Sequence, residues 1–331
     1  MSVWASIERF IAAQGAAALV TLAQAEGSSP REVGARMVVA PDGAFTGTIW
    51  GGALEWGALA EAQALLTRQG PMIARLDRAL GPDLGQCCGG RVLLTIEKFT
   101  AADRANAPAL AAAEGSGVLT TIAAVAPDGR LARQIAEPQD GPAYAVRPDG
   151  TVLERFGEEP TALYLFGAGH VGRALAVALA PLPFAVTWID TRPGAIPAEF
   201  PANVTAIRDG DPVALLARAP DGAFIAVMTH SHALDLDLTI AALGAKRFAY
   251  VGLIGSDTKR ARFTSAMRRM GMPDQIVDSL VCPIGLMKIA DKAPAAIAAS
   301  TAAQLLIVRE ERAAAARTTA DDGSAKDARH G

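Results

Sequence analysis

The sequence has few of the features on which secreted, membrane-spanning or nucleic-acid-binding proteins depend. Its three cysteines are an odd number and two are adjacent, so we expect a reducing compartment rather than a disulfide framework. The N-terminus lacks the pattern of a signal peptide, and no apolar run reaches the roughly 18 residues of a membrane span. Aromatic residues make up only 5% of the chain, and the formal net charge is −3. These absences predict a cytoplasmic protein whose partners are neither membranes nor nucleic acids.

The length and hydrophobic content of the chain predict two globular domains. The chain has 331 residues, of which 51% are hydrophobic. Hairpin patterns with Pro-Asp-Gly turns and a few helices fill residues 1–156, which indicates an N-terminal α+β domain. Strands and helices alternate over residues 161–316 and end in an alanine-rich helix, which predicts a C-terminal Rossmann-like doubly wound parallel sheet. Residues 317–331 are polar and charged, and we expect them to form a disordered tail.

A glycine-rich motif joins the first strand and the first helix of the second domain. Gly167, Gly169 and Gly172 follow an apolar strand, and the next strand ends at Asp190. In dinucleotide folds the first glycine permits a tight turn, the second admits a pyrophosphate and the third allows close packing of the helix. The motif predicts a nucleotide-type fold with an anion site at the start of the helix. It leaves NAD(P) binding open, because a fold does not determine its ligand.

Polar residues follow the carboxyl ends of the predicted strands, where open α/β sheets bind ligands. These candidates are His170, Asp190 with Arg192, His230 and His232, and Ser256 with Lys259 and Arg260. Three of the four histidines fall at these strand ends, which favours ligand contacts or proton handling. Two alternatives are a metal site that uses the histidines together with Asp235 and Asp237, and ordinary helix capping by Ser256 or Asp257.

A polar loop in the first domain carries residues suited to an anionic ligand. Ser28, Ser29 and Arg31 offer two hydroxyls and one guanidinium, which suit a phosphate or a carboxylate. A polar turn with a solvated arginine is the alternative interpretation.

Two adjacent cysteines lie in a glycine-rich loop that precedes a strand. Backbone amides around Cys87 and Cys88 can lower the pKa of a thiol and make it a better nucleophile or metal ligand. A structural zinc site is not expected, because no second cysteine pair and no histidine lies nearby. We expect Cys282, at the end of a buried strand, to be structural.

Taken together and in order, these motifs resemble those of the XdhC/CoxI family. The matching stretches are GSSPREVGARMVV (27–39), GTIWGGALEW (47–56), CCGG (87–90), LYLFGAGHVGRAL (163–175), WIDTR (188–192), THSHALDLDL (229–238), YVGLIGSDTKR (250–260) and PIGL (283–286). The resemblance covers nearly the whole chain. It implies a chaperone that binds molybdenum cofactor (molybdopterin), protects it during sulfuration and inserts it into apo-xanthine dehydrogenase. It further implies a cysteine desulfurase as partner and a homodimer, with no catalytic activity of its own.

The resemblance also assigns roles to the candidate residues. Cys88 matches the family cysteine before Gly-Gly, and a thiolate is a suitable soft ligand for molybdenum; Cys87 is its less favoured neighbour. The glycine-rich helix start would hold the phosphate of the cofactor, and the polar residues at the strand ends would hold the pterin.

Two other functions remain open at this point. An NAD(P)-dependent oxidoreductase would use the glycine-rich crevice, with Asp190 on a ribose hydroxyl. A metal-dependent hydrolase would use His230 and His232 as ligands to zinc or iron.

Overall fold

The computed structural model describes residues 2–27, 31–80, 90–139 and 141–327, with side chains as far as residue 315. It divides into two compact units, Met1–Glu159 (unit 1) and Pro160–Gly331 (unit 2). The division falls in the Gly-Glu-Glu-Pro segment at residues 157–160, where the hairpin pattern gives way to alternating strands and helices.

Unit 1 consists of two antiparallel sheets with three α-helices in its described part. Its elements are α1 (Val3–Gln14), β1 (Ala16–Glu26), β2 (Arg36–Val39), β3 (Phe45–Gly47), α2 (Gly52–Thr67), β4 (Ile73–Leu80), β5 (Gly90–Thr100), α3 (Ala107–Gly115), β6 (Leu119–Val125), β7 (Leu131–Ala136), β8 (Tyr144–Val146) and β9 (Val152–Phe156). The larger sheet has the order β3-β2-β1-β5-β4 and the smaller one β7-β6-β9-β8. The α+β class predicted for this half is observed, and β4 is a strand that the sequence analysis did not identify.

A buried arginine joins the two sheets of unit 1. Arg133 on β7 lies 2.5 Å from Glu97 on β5 and 2.7 Å from Glu154 on β9, and all three side chains are buried. Burial alone would lower the pKa of Arg133, but the two carboxylates raise it overall. Breaking such a buried pair leaves an uncompensated charge, so the cluster fixes how these strands pack.

Unit 2 is a doubly wound sheet in which all the paired strands are parallel. Its elements are β10 (Thr161–Phe166), α4 (His170–Ala178), β11 (Phe184–Ile189), β12 (Val204–Ile207), α5 (Pro212–Ala217), β13 (Phe224–Val227), α6 (His232–Ala245), β14 (Tyr250–Leu253), α7 (Asp257–Arg269), α8 (Asp274–Asp278) and α9 (Pro294–Asp327). The strand order is β12-β11-β10-β13-β14, and Val281 extends the sheet through a parallel bridge to Gly252. Separate apolar clusters cover the two faces of the sheet. The predicted Rossmann-like architecture is thus observed.

Helix α9 packs on unit 2 and fixes the Pro-Ile-Gly-Leu segment that follows Val281. Gln304 accepts a hydrogen bond from the Gly285 N–H at 2.9 Å, and the Ser300 hydroxyl accepts one from the Leu286 N–H at 2.6 Å. The helix continues to Asp327, past the end near Ala316 that the sequence predicts and into the predicted disordered tail, of which residues 328–331 lie outside the described residues. Residues 313–316 are alanines, which favour a helix, but the threonine, aspartate, glycine and serine residues that follow do not.

Candidate functional site

The strand order of unit 2 reverses between β10 and β13, and this places a crevice outside the carboxyl ends of the sheet. Two glycines of the motif allow the backbone to approach closely. A Cβ atom on Gly167 would lie 2.2 Å from the Met228 carbonyl oxygen, and one on Gly172 would lie 2.2 Å from the Gly167 carbonyl oxygen. Gly169 differs, because a Cβ there would meet nothing within 4 Å. The backbone at Gly169 therefore faces open space into which a ligand can enter.

Asp190 is occupied by hydrogen bonds from the protein itself. Its Oδ2 accepts from the Ala168 N–H and from Arg192 Nη2, each at 2.7 Å. Its Oδ1 accepts from the Arg192 N–H at 3.1 Å and from Arg192 Nε at 3.0 Å. Burial would raise the pKa of this carboxyl, but these hydrogen bonds outweigh burial and lower it. Asp190 thus holds the glycine-rich turn, and a ribose hydroxyl would have to displace one of these donors.

A second arginine, which the sequence analysis did not select, reaches the same turn. Arg173 follows the last glycine of the motif, and its Nε donates to the Ala168 carbonyl at 3.1 Å. Its Nη2 donates at 2.7 Å to the carbonyl of Ala195, in the turn that begins at Arg192. The signal available in the sequence was a basic residue in the first turn of the helix that follows the glycine motif.

The three histidines selected from the sequence are exposed at the crevice edge. His170 is the first residue of α4, His232 is the first residue of α6, and His230 precedes α6. His230 lines a small pocket together with Asp190, Thr191 and Leu234. The structure thus brings His230 and Asp190 to one pocket.

Asp235 and Lys259 form a buried ion pair that joins two strand ends. Lys259 Nζ lies 2.6 Å from Asp235 Oδ2 and donates to the Ile254 carbonyl at 2.9 Å. Asp235 Oδ1 accepts from the N–H and the hydroxyl of Thr229, at 2.9 and 2.7 Å. The predicted anion contact by Lys259 would require its ammonium to leave this pair. In the structure the lysine and the aspartate position the Thr-His-Ser-His loop.

The remaining candidates around α7 are exposed or structural. Ser256 caps α7 by accepting a hydrogen bond from the Lys259 N–H at 3.3 Å, as the capping alternative predicted. Arg260 is exposed on the first turn of the helix. Cys282 is 5% exposed, and burial raises the pKa of its thiol to about 11, so this cysteine is neutral near pH 7.

The topology of unit 1 brings several motif loops to one end of its larger sheet. β1 ends at Glu26, which pairs with Arg91 near the start of β5. β4 ends at Leu80, which pairs with Gly90, the first residue of β5. β3 ends at Gly47, opposite the start of β2. The loops that follow β1, β3 and β4 therefore leave the sheet at the same end.

Two of these loops carry the anion and cysteine motifs, and the third carries two glycines. Arg31 is exposed, while Ser28, Ser29, Cys87 and Cys88 lie outside the described residues. Gly51 and Gly52 have φ values of 95° and 64°, and a Cβ on either would meet nothing within 4 Å. Glu55 accepts hydrogen bonds from the Thr48 hydroxyl at 2.5 Å and the Ile49 N–H at 3.1 Å, which fixes this turn.

Metal-binding clusters and membrane-spanning helices are both absent from the described part of the chain. No group of three or more histidine, cysteine or carboxylate side chains there could hold a metal ion. Asp235 is engaged by Lys259 and Thr229, so it does not complete a site with the histidines. Among the described helices, none combines the length and apolar character needed to cross a membrane.

Comparison with known proteins assigns both units to one family. The model for the XdhC Rossmann domain matches residues 163–305, and the model for the XdhC and CoxI family matches residues 10–77.

Two individual proteins resemble the chain over most of its length. YqeB of Escherichia coli K12, described as uncharacterized, is 25% identical over 290 residues, which are 86% of this chain and 42% of YqeB. The chain thus spans less than half of that relative. A Bacillus halodurans protein described as a xanthine dehydrogenase superposes with a TM-score of 0.73, at 22% identity, over 94% of this chain and 97% of the other. At that identity the likeness shows a shared fold.

Proposed function

The chain belongs to the XdhC/CoxI family, and from this membership we propose that it is an accessory protein for the maturation of xanthine dehydrogenase. It binds molybdenum cofactor, protects it while the terminal sulfido ligand is installed, and delivers it to the apo-enzyme. A cysteine desulfurase is the proposed sulfur donor and the working form is a homodimer. The observation that carries the proposal is the match of one chain to the models of both family domains.

The residues of the crevice fit the organic part of this cofactor. The open space at Gly169 admits a ligand to the backbone, and Arg173 and Arg192 suit its phosphate. Exposed imidazoles at His170 and His230 can exchange hydrogen bonds with a pterin. When bound, the cofactor supplies the molybdenum centre that xanthine dehydrogenase uses.

Unit 1 carries candidate residues of its own for binding the cofactor. Cys88 is the proposed soft ligand, because a thiolate suits molybdenum better than an oxygen donor does. Arg31, exposed in a loop that leaves the same end of the sheet, is the proposed contact to an anionic group. Cys282, buried and with a raised pKa, does not compete for this role.

An oxidoreductase that uses NAD is less well supported by the same geometry. The carboxylate expected to bind the ribose already accepts four hydrogen bonds from Ala168 and Arg192. An accessory, non-catalytic role is therefore the proposal that we favour.

Identifying what copurifies with the protein tests the proposal. The full chain, expressed in a host that makes molybdenum cofactor, is desalted and then examined by mass spectrometry and elemental analysis. Near-stoichiometric molybdopterin is the expected result. Zinc or iron without pterin would support the hydrolase instead, and NAD(P) without pterin would support the oxidoreductase; either finding contradicts the proposal.

A further inference from the structure

The acidic residue of the glycine-rich fold is paired with an arginine in unit 2. In NAD-binding sheets a carboxylate at this position takes a ribose hydroxyl, and a nearby arginine instead accommodates a phosphate on that ribose. Here Arg192 binds both oxygens of Asp190, through Nε at 3.0 Å and Nη2 at 2.7 Å. The carboxylate is buried while the arginine side chain is 39% exposed. The guanidinium is therefore the more exposed group of the pair.

Arg173 adds a second cation at the same turn. Its two hydrogen bonds go to the carbonyls of Ala168 and Ala195, which lie on either side of Asp190 in the chain. Among the described residues, Arg192 pairs with Asp190 alone, and the partners of Arg173 are backbone carbonyls. Two guanidinium groups and one carboxylate give this turn a net positive charge. Guanidinium groups match the geometry of phosphate oxygens and bind them by charge-assisted hydrogen bonds.

We propose that Arg192, supported by Arg173, makes the crevice of unit 2 select a phosphate monoester and reject an unphosphorylated ribose. Asp190 acts as a positioning residue that holds Arg192 and the Ala168 N–H. The proposal concerns only the phosphate group of the ligand that unit 2 binds. It rests on the proposed function for the identity of the rest of that ligand.

Calorimetric titration of the full chain, freed of bound small molecules, tests this selectivity. NADP⁺ and NAD⁺ differ by one phosphate monoester, and inorganic phosphate is the third probe. We expect NADP⁺ to bind at least tenfold more tightly than NAD⁺, or phosphate alone to bind if the crevice does not admit a dinucleotide. Equal or tighter binding of NAD⁺, or binding of none of the three probes, overturns the proposal.

Variants distinguish a specific role of Arg192 in binding from a general effect of positive charge. Arg192→Ala should lower the NADP⁺ to NAD⁺ affinity ratio, or the phosphate affinity, at least tenfold, and Arg192→Lys should restore part of it. Arg218→Ala removes an exposed arginine at the far end of α5 and should leave the binding unchanged. An unchanged preference in Arg192→Ala would refute the role of Arg192.

Retention of molybdopterin by the same variants distinguishes this inference from the proposed function. If wild type retains the cofactor but shows no preference for phosphate, the inference fails while the proposed function stands. If wild type prefers phosphate but retains no cofactor, the phosphate comes from another ligand and the proposed function fails.

Discussion

The Lys259 ammonium lies 2.6 Å from the Asp235 carboxylate, and this contact links the first turns of α6 and α7. Both side chains are largely buried, at 12% and 2% exposure. Through Asp235 the contact extends to the N–H and the hydroxyl of Thr229. The crevice loops therefore depend on a pair that does not itself face solvent.

Removal of the lysine should destabilise unit 2. Lys259→Met leaves the Asp235 carboxylate buried without its cation, and we expect a loss of about 3 kcal/mol in the free energy of unfolding. Urea unfolding followed by circular dichroism measures this loss.

A matched double variant tests the cause of that effect. Lys259→Met combined with Asp235→Asn removes both charges and should lose less stability than the sum of the two single variants. Arg268→Met, which removes an exposed partner of Asp274, should cost under about 1 kcal/mol. Additive losses in the double variant would argue against the pair as the cause.

Two glycines of the same motif should respond differently to alanine. Gly172→Ala forces a Cβ against the Gly167 carbonyl, which belongs to rigid backbone, and we expect a loss of about 2 kcal/mol in stability. Gly169→Ala meets no neighbour within 4 Å and should change stability by no more than about 1 kcal/mol. The same Gly169→Ala variant should bind the ligand less tightly, because its methyl group occupies the open space. Unfolding curves and ligand titrations on both variants check this contrast.

The buried thiol of Cys282 should make stability fall at high pH. Its pKa is raised to about 11 in the folded chain, so the unfolded chain, with a thiol pKa of about 8.5, loses its proton first. The folded state then binds more protons than the unfolded state, and its stability declines as the pH rises between these two values. The decline should total about 3 kcal/mol and should be absent from Cys282→Ala. Unfolding free energies of both proteins between pH 8 and pH 11 test this difference.

The sequence predicts the architecture of this protein better than it predicts the contacts of the site. Gly167, Gly172 and the alternating strand and helix pattern anticipate the doubly wound sheet, because their constraints act over short stretches of chain. The pairing of Lys259 with Asp235 was not anticipated, since it joins residues from two different helices. The hydrogen bond from the Ala168 N–H to Asp190 was not anticipated either, because it depends on how β10 and β11 align.

β4 and the C-terminal part of α9 are not apparent from the sequence pattern. β4 carries charged residues such as Asp77 and Arg78, and it is a strand because it pairs along its length with β5. Helix α9 continues past its predicted end although threonine, aspartate, glycine and serine recur there, so helix propensity does not anticipate this extension.

Delivery of the cofactor to the apo-enzyme tests the central claim most directly. The cofactor-loaded chain is mixed with apo-xanthine dehydrogenase, and the activity recovered is compared with that from an equal amount of free cofactor. We predict at least tenfold more activity from the loaded wild type, a loss of this advantage in Cys88→Ala, and no loss in Cys282→Ala. A wild type that gives no more activity than free cofactor would contradict the account.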